Sequence, residues 1–410
     1  MIRQLERFCF APHATAMQNP KSSINLGDAY GRYGDRPFAI QPSDRMHSIY
    51  IIGQTGTGKS TLLHNIAMQD VKAGNGFCLI DPHGDLAAGL HKNLPSDHIY
   101  WNPADPDCRY GYNPITRVSA PLRPLIASGL IDALKKQWAD AWGPRMEHLL
   151  RYALLALLEL PRSDLRDIMR LYVDADFRRE VVSQISDPQV ETFWRREFPR
   201  MNYRTAFDGV APIANKLGAL LASPALRSVL CEPVEPLRFR KIMDEGQILI
   251  VNLAKGRLGS DNANVLGGLI VSSLMNAAFS RHDIAGTERR PFFLSIDEFH
   301  NFTTEAFANV LPEARKYGLS LTLAHQHSLQ LDSAVSEAIL GNVGSMIAFR
   351  LGAIDAPLFC RQFGELEPKH FVHLPNHHAW VQLLIDGTKS KPFSAMTWPA
   401  QTCEGRFSGN

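Results

Sequence analysis

Clustered cysteine is what this chain most plainly lacks. Its six cysteines (Cys9, Cys78, Cys108, Cys231, Cys360 and Cys403) are scattered over 410 residues and form no C-x-x-C pair. That argues against a disulfide framework and against a zinc site, and it fits a reducing cytosol. No run of about 18 or more apolar residues occurs, so no transmembrane helix is expected. The best candidate, 149–160, is broken by Arg151 and Glu159 and reads as a buried helix. The first residues carry Arg3, Glu6 and Arg7 ahead of Phe8-Cys9-Phe10 without a long apolar core, so no secretory signal is expected. An excess of one charge is lacking too. The formal net charge is +2, so the whole molecule does not advertise a polyanion partner, and any basic surface must be local. There is no internal repeat and no low-complexity tract. What remains is ordinary for a globular protein, with 45% apolar and 20% charged residues. The length favours two or three lobes over one core.

Against this background one stretch stands out. Gly53-Gln54-Thr55-Gly56-Thr57-Gly58-Lys59-Ser60-Thr61 fits G-x-x-x-x-G-K-[ST] in full. Ile49-Tyr50-Ile51-Ile52 before it reads as a buried strand. Leu62, Leu63, Ile66 and Ala67 after it fall at helical spacing. Strand, glycine loop and helix form the setting this motif needs. Glycines let successive backbone N–H groups turn inward around phosphate oxygens, and the helix N-terminus adds its positive dipole end. Lys59 is expected to reach the β- and γ-phosphates, and Ser60 to ligate Mg²⁺. The motif predicts a nucleoside triphosphate site. A guanine-specifying N-K-x-D element is missing, since Asn215-Lys216-Leu217-Gly218 lacks the aspartate, which tilts the base toward adenine.

The chain divides into regions of different character. Residues 1–46 carry turn signals at Gly27-Asp28, Gly31, Gly34-Asp35 and Arg36-Pro37 and predict a short strand or two. Residues 47–119 alternate strand and helix, with further strands at Phe77-Cys78-Leu79-Ile80-Asp81 and His98-Ile99-Tyr100-Trp101. Over 120–245 apolar residues recur at three- and four-residue spacing (Met146, Leu149, Leu150, Ala153, Leu154, Leu157), which predicts a helical domain. Its helix starts are signalled by Ser163-Asp164 and Asp187-Pro188. Strand character returns over 246–400. Strands are expected at 247–252, 292–296, 320–324 and 345–349, with helices after 252 and over 304–316. The end reads as a hairpin closed by Asp386-Gly387. Residues 401–410 read as a tail. Alternating strands and helices imply a mostly parallel α/β sheet covered on both faces, here split by a helical insertion.

A second group of residues carries chemistry. Phe292-Phe293-Leu294-Ser295-Ile296-Asp297-Glu298 has the shape of a Walker B strand, an apolar run that delivers two carboxylates at its C-terminal end. Asp297 is expected to hold the Mg²⁺ shell with Ser60. Glu298 is expected to orient and polarise the attacking water. Gln326, after the strand ending Ala324-His325, is a candidate to sense the γ-phosphate or to help place the water. At that strand end in a doubly wound sheet it would sit beside the phosphate loop. Arg315, before Lys316-Tyr317-Gly318, either complements a helix dipole or reaches a neighbour's nucleotide as an arginine finger. Arg350, after Ala348-Phe349, is the runner-up, and spacing does not choose between them. His325 and His327 read as packing or hydrogen-bonding residues. The group His370, His373, His377 and His378 has no cysteines and is interrupted by Pro375, which speaks against a metal site.

Several of these elements together resemble the FtsK–HerA superfamily. They are 53–61, the Asp81-Pro82-His83-Gly84-Asp85 turn, Ile296-Asp297-Glu298, Glu313-Ala314-Arg315-Lys316-Tyr317-Gly318-Leu319 and the strand ending at Gln326. Within that superfamily the chain is most similar to the conjugative DNA-transfer coupling ATPases of type IV secretion systems, the TraG/TraD type. The likeness runs over about 46–385, and the insertion resembles their all-α domain. The resemblance implies a RecA-like P-loop NTPase core, ATP with Mg²⁺, a homo-hexamer and DNA moved through a central channel. It implies Arg315 as the finger acting across the subunit border and Gln326 as the sensor. It implies relaxosome-like or secretion-channel partners and a cytoplasmic location, peripheral to a membrane secretion complex. Coupling proteins usually carry N-terminal transmembrane helices and HerA helicases a β-barrel. Residues 1–46 suit neither, so a motor paired with a nuclease or other effector fits as well. The alternative expectation is an ATPase that handles protein and not DNA. The Arg195-Arg196 pair and Arg200 of the insertion suit DNA, a protein partner or a solvated helix face.

Overall fold

The computed structural model describes residues 23–400 except positions 202 and 365. Cys9, Cys403, the 401–410 tail and the first half of the 1–46 segment lie outside the described residues. The internal contacts divide the chain into two compact units. One comprises the residues up to Tyr100, Arg240–Asn252 and those from Ala278 on. The other comprises Trp101–Phe239 and Leu253–Ala277.

The first unit is built on an eleven-stranded sheet. Its strands are β1 (Ile24–Ala29), β2 (Arg36–Ile40), β3 (Ile49–Ile52), β4 (Gly76–Asp81), β5 (Ile99–Trp101) and β6 (Ile248–Asn252), followed by β7 (Phe292–Ile296), β8 (Leu319–His325), β9 (Ser345–Ala348), β10 (His378–Gln382) and β11 (Phe393–Thr397). In space the order is β2-β1-β11-β10-β9-β3-β8-β7-β4-β6-β5. The six strands β9, β3, β8, β7, β4 and β6 run parallel. Every residue of β3, β4, β7, β8 and β9 is buried. A parallel sheet covered on both faces reads as mainly apolar runs, which made β3, β4 and β7 legible; β8 alternates apolar residues with Ser320 and Thr322, yet these are buried too. The strands β10, β11, β1 and β2 extend the sheet antiparallel beyond β9.

Small departures from expectation have local causes. The expected C-terminal hairpin is two nested pairs. β10 pairs with β11, and a minor pair, Leu384–Ile385 with Thr388–Lys389, closes at Asp386 and Gly387. Both turn residues have positive φ (48° and 79°), as a two-residue hairpin turn requires. The expected 304–316 helix is an α-helix over Glu305–Ala314 followed by a 3₁₀ turn at Arg315–Tyr317. It stops at Gly318, whose φ of 74° caps it.

The helix Lys59–Ala73 carries the phosphate loop and packs into the core through Leu62, Leu63, Ile66 and Ala67, all at 2% exposure or less. Its far end is held by a buried ion pair. Arg45 makes two hydrogen bonds to Asp70, at 2.6 and 2.7 Å, and its guanidinium lies 3.7 Å from the Phe293 ring centre.

The second unit is helical, as the spacing predicts. Helices Arg123–Gln137, Pro144–Leu157, Leu165–Val173, Ala175–Gln184 and Tyr203–Ala222 are its longest in 120–245. Asp164, Asp174 and Asp187 cap helix starts, each accepting a backbone N–H two or three residues on. Arg195 pairs with Glu191 at 2.8 Å on an exposed face, and Arg196 and Arg200 are exposed. The helix Ser260–Ser280 is apolar enough by length and composition to cross a membrane. Two thirds of its apolar window is buried within the protein, and Leu266, Leu269, Ile270 and Leu274 are core residues.

Candidate active site

The site forms where β3, β8 and β7 end side by side, with β8 in the middle. The loop after β3 is pinned from both neighbours. Gly53 N–H donates to His325 O of β8 at 3.3 Å, and Gln54 N–H to Arg350 O at 2.9 Å. Thr57 Oγ1 donates across the loop to Gln54 O at 2.7 Å. Two glycines are sterically required. A Cβ on Gly53 would stand 2.6 Å from Phe349 Cβ. Gly58 has φ of 120°, and its Cβ would stand 2.9 Å from His377 Nδ1. Gly58 is also the N-cap of the helix that begins at Lys59, so the loop's backbone amides lead directly into the dipole's positive end. Gly56 takes φ of 75° at the exposed crown beside Thr55. Ser60 is exposed and Thr61 half-buried on the first helical turn.

Lys59 lies across this loop, only 5% exposed. Its Nζ donates to Gly53 O at 2.7 Å and Gln54 O at 3.2 Å. Burial pushes its pKa below the usual range, and the Glu298 and Asp297 carboxylates oppose that shift. Ser60 Oγ donates to Asp297 Oδ2 at 3.1 Å, so the two expected Mg²⁺ ligands are neighbours. Asp297 is pushed up to about 6, chiefly by burial and then by Glu298 and Asp81. Lys59 and the Ser60 hydroxyl offset this only in part. A buried acidic pair short of positive charge beside a serine hydroxyl is a donor set suited to a hard divalent cation.

Glu298 stands in a strained backbone state, with φ of 46°, directly after Asp297. Its Oε1 accepts from Gln326 Nε2 at 2.6 Å. Gln326 Oε1 in turn accepts from Thr55 Oγ1 at 2.7 Å. Its Oε2 is buried without a hydrogen-bond partner and lies 3.5 Å from His300 Nδ1. A fixed carboxylate with one oxygen held and one left over is arranged to receive a proton.

The turn after β4 braces this pair. Asp81 accepts from His83 N at 2.9 Å and Ala87 N at 3.0 Å, and Asp297 N–H donates to Ile80 O at 3.0 Å. Below Gln326, His325 is fully buried, and its Nε2 lies 2.5 Å from Tyr50 Oη. Burial holds its pKa well below the ordinary range. His327 contacts buried Asp355 at 3.2 Å. Both histidines thus pack and hydrogen-bond. Among the described residues, no three His, Cys, Asp or Glu side chains gather as a metal would require.

The two candidate arginines fall at opposite ends of the parallel strands. Arg350 follows β9 at the phosphate-loop end, donating Nε–H to Gln54 Oε1 and an Nη1 hydrogen to Leu374 O, both at 3.2 Å. Arg315 precedes β8 and is exposed at the far end, with Nη1 3.2 Å from His47 Nδ1. Sequence reasoning weighed His377 only within a histidine group tested for metal and missed its place at the phosphate loop. It takes φ of 65°, donates its N–H to Thr57 O at 2.7 Å and packs its ring on Gly58. No local pattern marks it, because its role comes from chain that returns to the loop from more than 300 positions away.

The chain matches no protein-family model and no curated protein sequence. Solved structures share its fold over nearly the whole length. The plasmid coupling protein TrwB in complex with a non-hydrolysable ATP analogue superposes with a TM-score of 0.65 at 18% identity, over 94% of this chain and 91% of that one. TrwB in complex with ADP and Mg²⁺ gives 0.64 at 15% identity over 96% and 98%. VirB4 of Thermoanaerobacter pseudethanolicus gives 0.64 at 14% identity over 94% and 98%. The chain therefore has the RecA-like fold of these proteins, in keeping with the resemblance its motifs carry.

Proposed function

We propose that this chain is an ATP-hydrolysing motor of the FtsK–HerA type that moves DNA through a ring of six subunits. One observation carries the reading. Lys59, Ser60, Asp297, Glu298 and Gln326, separated by as many as 267 positions, meet at the ends of three adjacent parallel strands, where Ser60 is hydrogen-bonded to Asp297, and Gln326 to both Glu298 and Thr55. A protein that only binds nucleotide has no need of Glu298 and Gln326 in that arrangement. The fold shared with TrwB, solved with an ATP analogue and with ADP and Mg²⁺, supports the same reading.

In the proposed reaction Lys59 leaves its two carbonyl partners to meet the β- and γ-phosphates. Gln326 lies between the phosphate loop and Glu298 and orients the water. Glu298 accepts that water's proton on the oxygen left over. Ser60 and Asp297 are the side chains to hold Mg²⁺, which when bound neutralises charge developing on the phosphates. The 120–245 insertion is the proposed recognition module, since none of the phosphate-contacting motifs lies in it.

The test measures ATPase rate on assembled protein against added long DNA, single- and double-stranded, over a salt series. Phosphate contacts release counterions, so stimulation by DNA that fades steeply with salt and shows little base preference is expected. No stimulation by either DNA form would transfer the proposal to a protein-handling ATPase.

A further inference from the structure

We propose that His47 is a positioning residue for Arg315, a neutral acceptor that aims the guanidinium outward while leaving its charge uncompensated. The inference rests on the reading that Arg315 serves a nucleotide bound by the next subunit.

The distances within one subunit exclude service to its own site. Gln326 follows β8 at the phosphate-loop end, and Arg315 precedes β8 by four positions at the other. Seven residues of strand at about 3.3 Å each set the two ends roughly 20 Å apart. An arginine side chain does not span that gap.

The guanidinium of Arg315 is left open where its neighbours' donors are engaged, by a carboxylate or by several carbonyls. Among the described residues no carboxylate pairs with its guanidinium; its hydrogen-bond partner is His47 Nδ1 at 3.2 Å. Lys316, the next residue, is paired to Glu313 at 2.8 Å. Arg289 of the same edge gives its Nε hydrogen to the carbonyls of Arg281 and Ile284 and an Nη1 hydrogen to that of Lys316. An arginine meant for a neighbour's phosphates has to be oriented without being neutralised. A carboxylate would orient it and quench it; a neutral imidazole nitrogen only orients it.

His47 is fixed well enough for that task. Its N–H donates to Asp44 O at 3.0 Å, and its carbonyl accepts from Gly344 N at 2.7 Å. A Cβ on Gly344 would stand 2.7 Å from His47 Cβ, so the histidine stem is wedged against that loop. To accept from Arg315, Nδ1 must be unprotonated. Burial and the Arg315 charge both favour the neutral ring, and Asp44 opposes them. His47 also lies two positions before β3, the strand that ends at the phosphate loop of its own subunit. The arginine that serves one nucleotide is thereby seated on the strand that bears the next.

The experiment measures kcat and KM for ATP on assembled protein carrying His47→Ala, His47→Asn or His47→Asp. Misplacing a group that acts on the transition state lowers kcat, here by about 10- to 100-fold for His47→Ala, with KM unchanged. His47→Asn, whose amide oxygen can accept near the position of Nδ1, is expected to restore most of the rate. His47→Asp is expected to do no better than His47→Ala, because it neutralises Arg315. His47→Ala should add nothing in an Arg315→Ala background. Mixing His47→Ala protein with excess Lys59→Ala subunits, which offer an intact His47 and Arg315 but no competent site, should recover activity. A wild-type rate for His47→Ala, an aspartate as active as asparagine, or a further loss in the Arg315→Ala background overturns the proposal. The underlying reading is tested separately, by mixing Arg315→Ala with Lys59→Ala subunits. No recovery from rings shown to be mixed overturns the action in trans, whatever the His47 variants do.

Discussion

Gln326 is hydrogen-bonded at once to Glu298, at 2.6 Å, and to Thr55 of the phosphate loop, at 2.7 Å. The amide has one donor end and one acceptor end, and each is used once. The residue that touches the phosphate loop is thus also the one that holds the carboxylate expected to take a proton from water. That amide thereby links the loop to the carboxylate.

Removing Gln326 is expected to lower kcat by about 10²-fold while KM for ATP stays near its starting value, since an orienting donor acts mainly on the transition state. Thr55→Val removes the hydroxyl and frees the amide, with a smaller effect in the same direction. The two substitutions touch one network, so the double variant should be less than the product of the single effects. Steady-state ATPase kinetics on the four proteins decide it, and independent effects would separate Thr55 from the role of Gln326.

Lys59 and Glu298 are expected to fail differently. Lys59→Ala removes the phosphate contact, so both binding and hydrolysis fall. Glu298→Gln keeps the shape and the Gln326 contact but loses the base, so ATP binds and persists while turnover falls by about 10²–10⁴-fold. Equilibrium binding of a fluorescent ATP analogue, read beside phosphate release, distinguishes the two. Near-normal turnover by Glu298→Gln would remove that residue from its assigned role.

Asp297 makes the metal-free protein sensitive to pH. Its folded pKa is raised from 3.8 to about 6, so the folded state holds the proton longer than the unfolded chain does. Its contribution to stability is full below pH 3.8 and is lost as pH rises through 6. A shift of that size corresponds to about 3 kcal/mol at neutral pH. Asp297→Asn is therefore expected to raise the melting temperature of metal-free protein at pH 7 and to change it little near pH 4. Mg²⁺ should raise the melting temperature of the wild type at pH 7 and not that of the variant. Thermal melts at the two pH values with and without Mg²⁺ provide the check.

The Arg45–Asp70 pair is expected to hold the far end of the phosphate-loop helix. Both side chains are 2% exposed or less. Arg45→Met leaves Asp70 buried without its ionic partner, and removing one partner of such a pair costs about 3–5 kcal/mol. A drop of several degrees in the melting temperature is expected. The double variant Arg45→Met, Asp70→Leu should regain most of it, because no lone charge remains. Chemical denaturation of the three proteins measures the loss and its recovery.

The phosphate loop and the two carboxylates after β7 were legible in the sequence because their chemistry is local. A loop that wraps phosphate needs glycines at set positions. Gly53 and Gly58 prove to leave no room for a Cβ beside their neighbours, and Gly56 and Gly58 take positive φ. Buried parallel strands are short, mainly apolar and β-branched or aromatic runs, so β3, β4, β7 and β9, and also β8 with its Ser320 and Thr322, could be read within a residue or two of their ends. The helical character of 120–245 followed from spacing alone.

Strand order was not legible, because near-equivalent apolar strands carry no local mark of which neighbour they will meet. Tertiary packing put β8 between β3 and β7, and only that lets Gln326 touch Thr55 and Glu298 together. The sequence placed Arg315 before its strand and Arg350 after its own, and packing set Arg350 on Gln54 of the phosphate loop and Arg315 against His47. Arg45 and Asp70, His47 and Arg315, and His377 and Gly58 are pairs of the same kind. Each joins residues whose separation in the chain says nothing of their meeting, and each depends on where the core brings the backbone back. The sequence by itself determined the chemistry available to the site; the sheet decided which of those groups can act on one another.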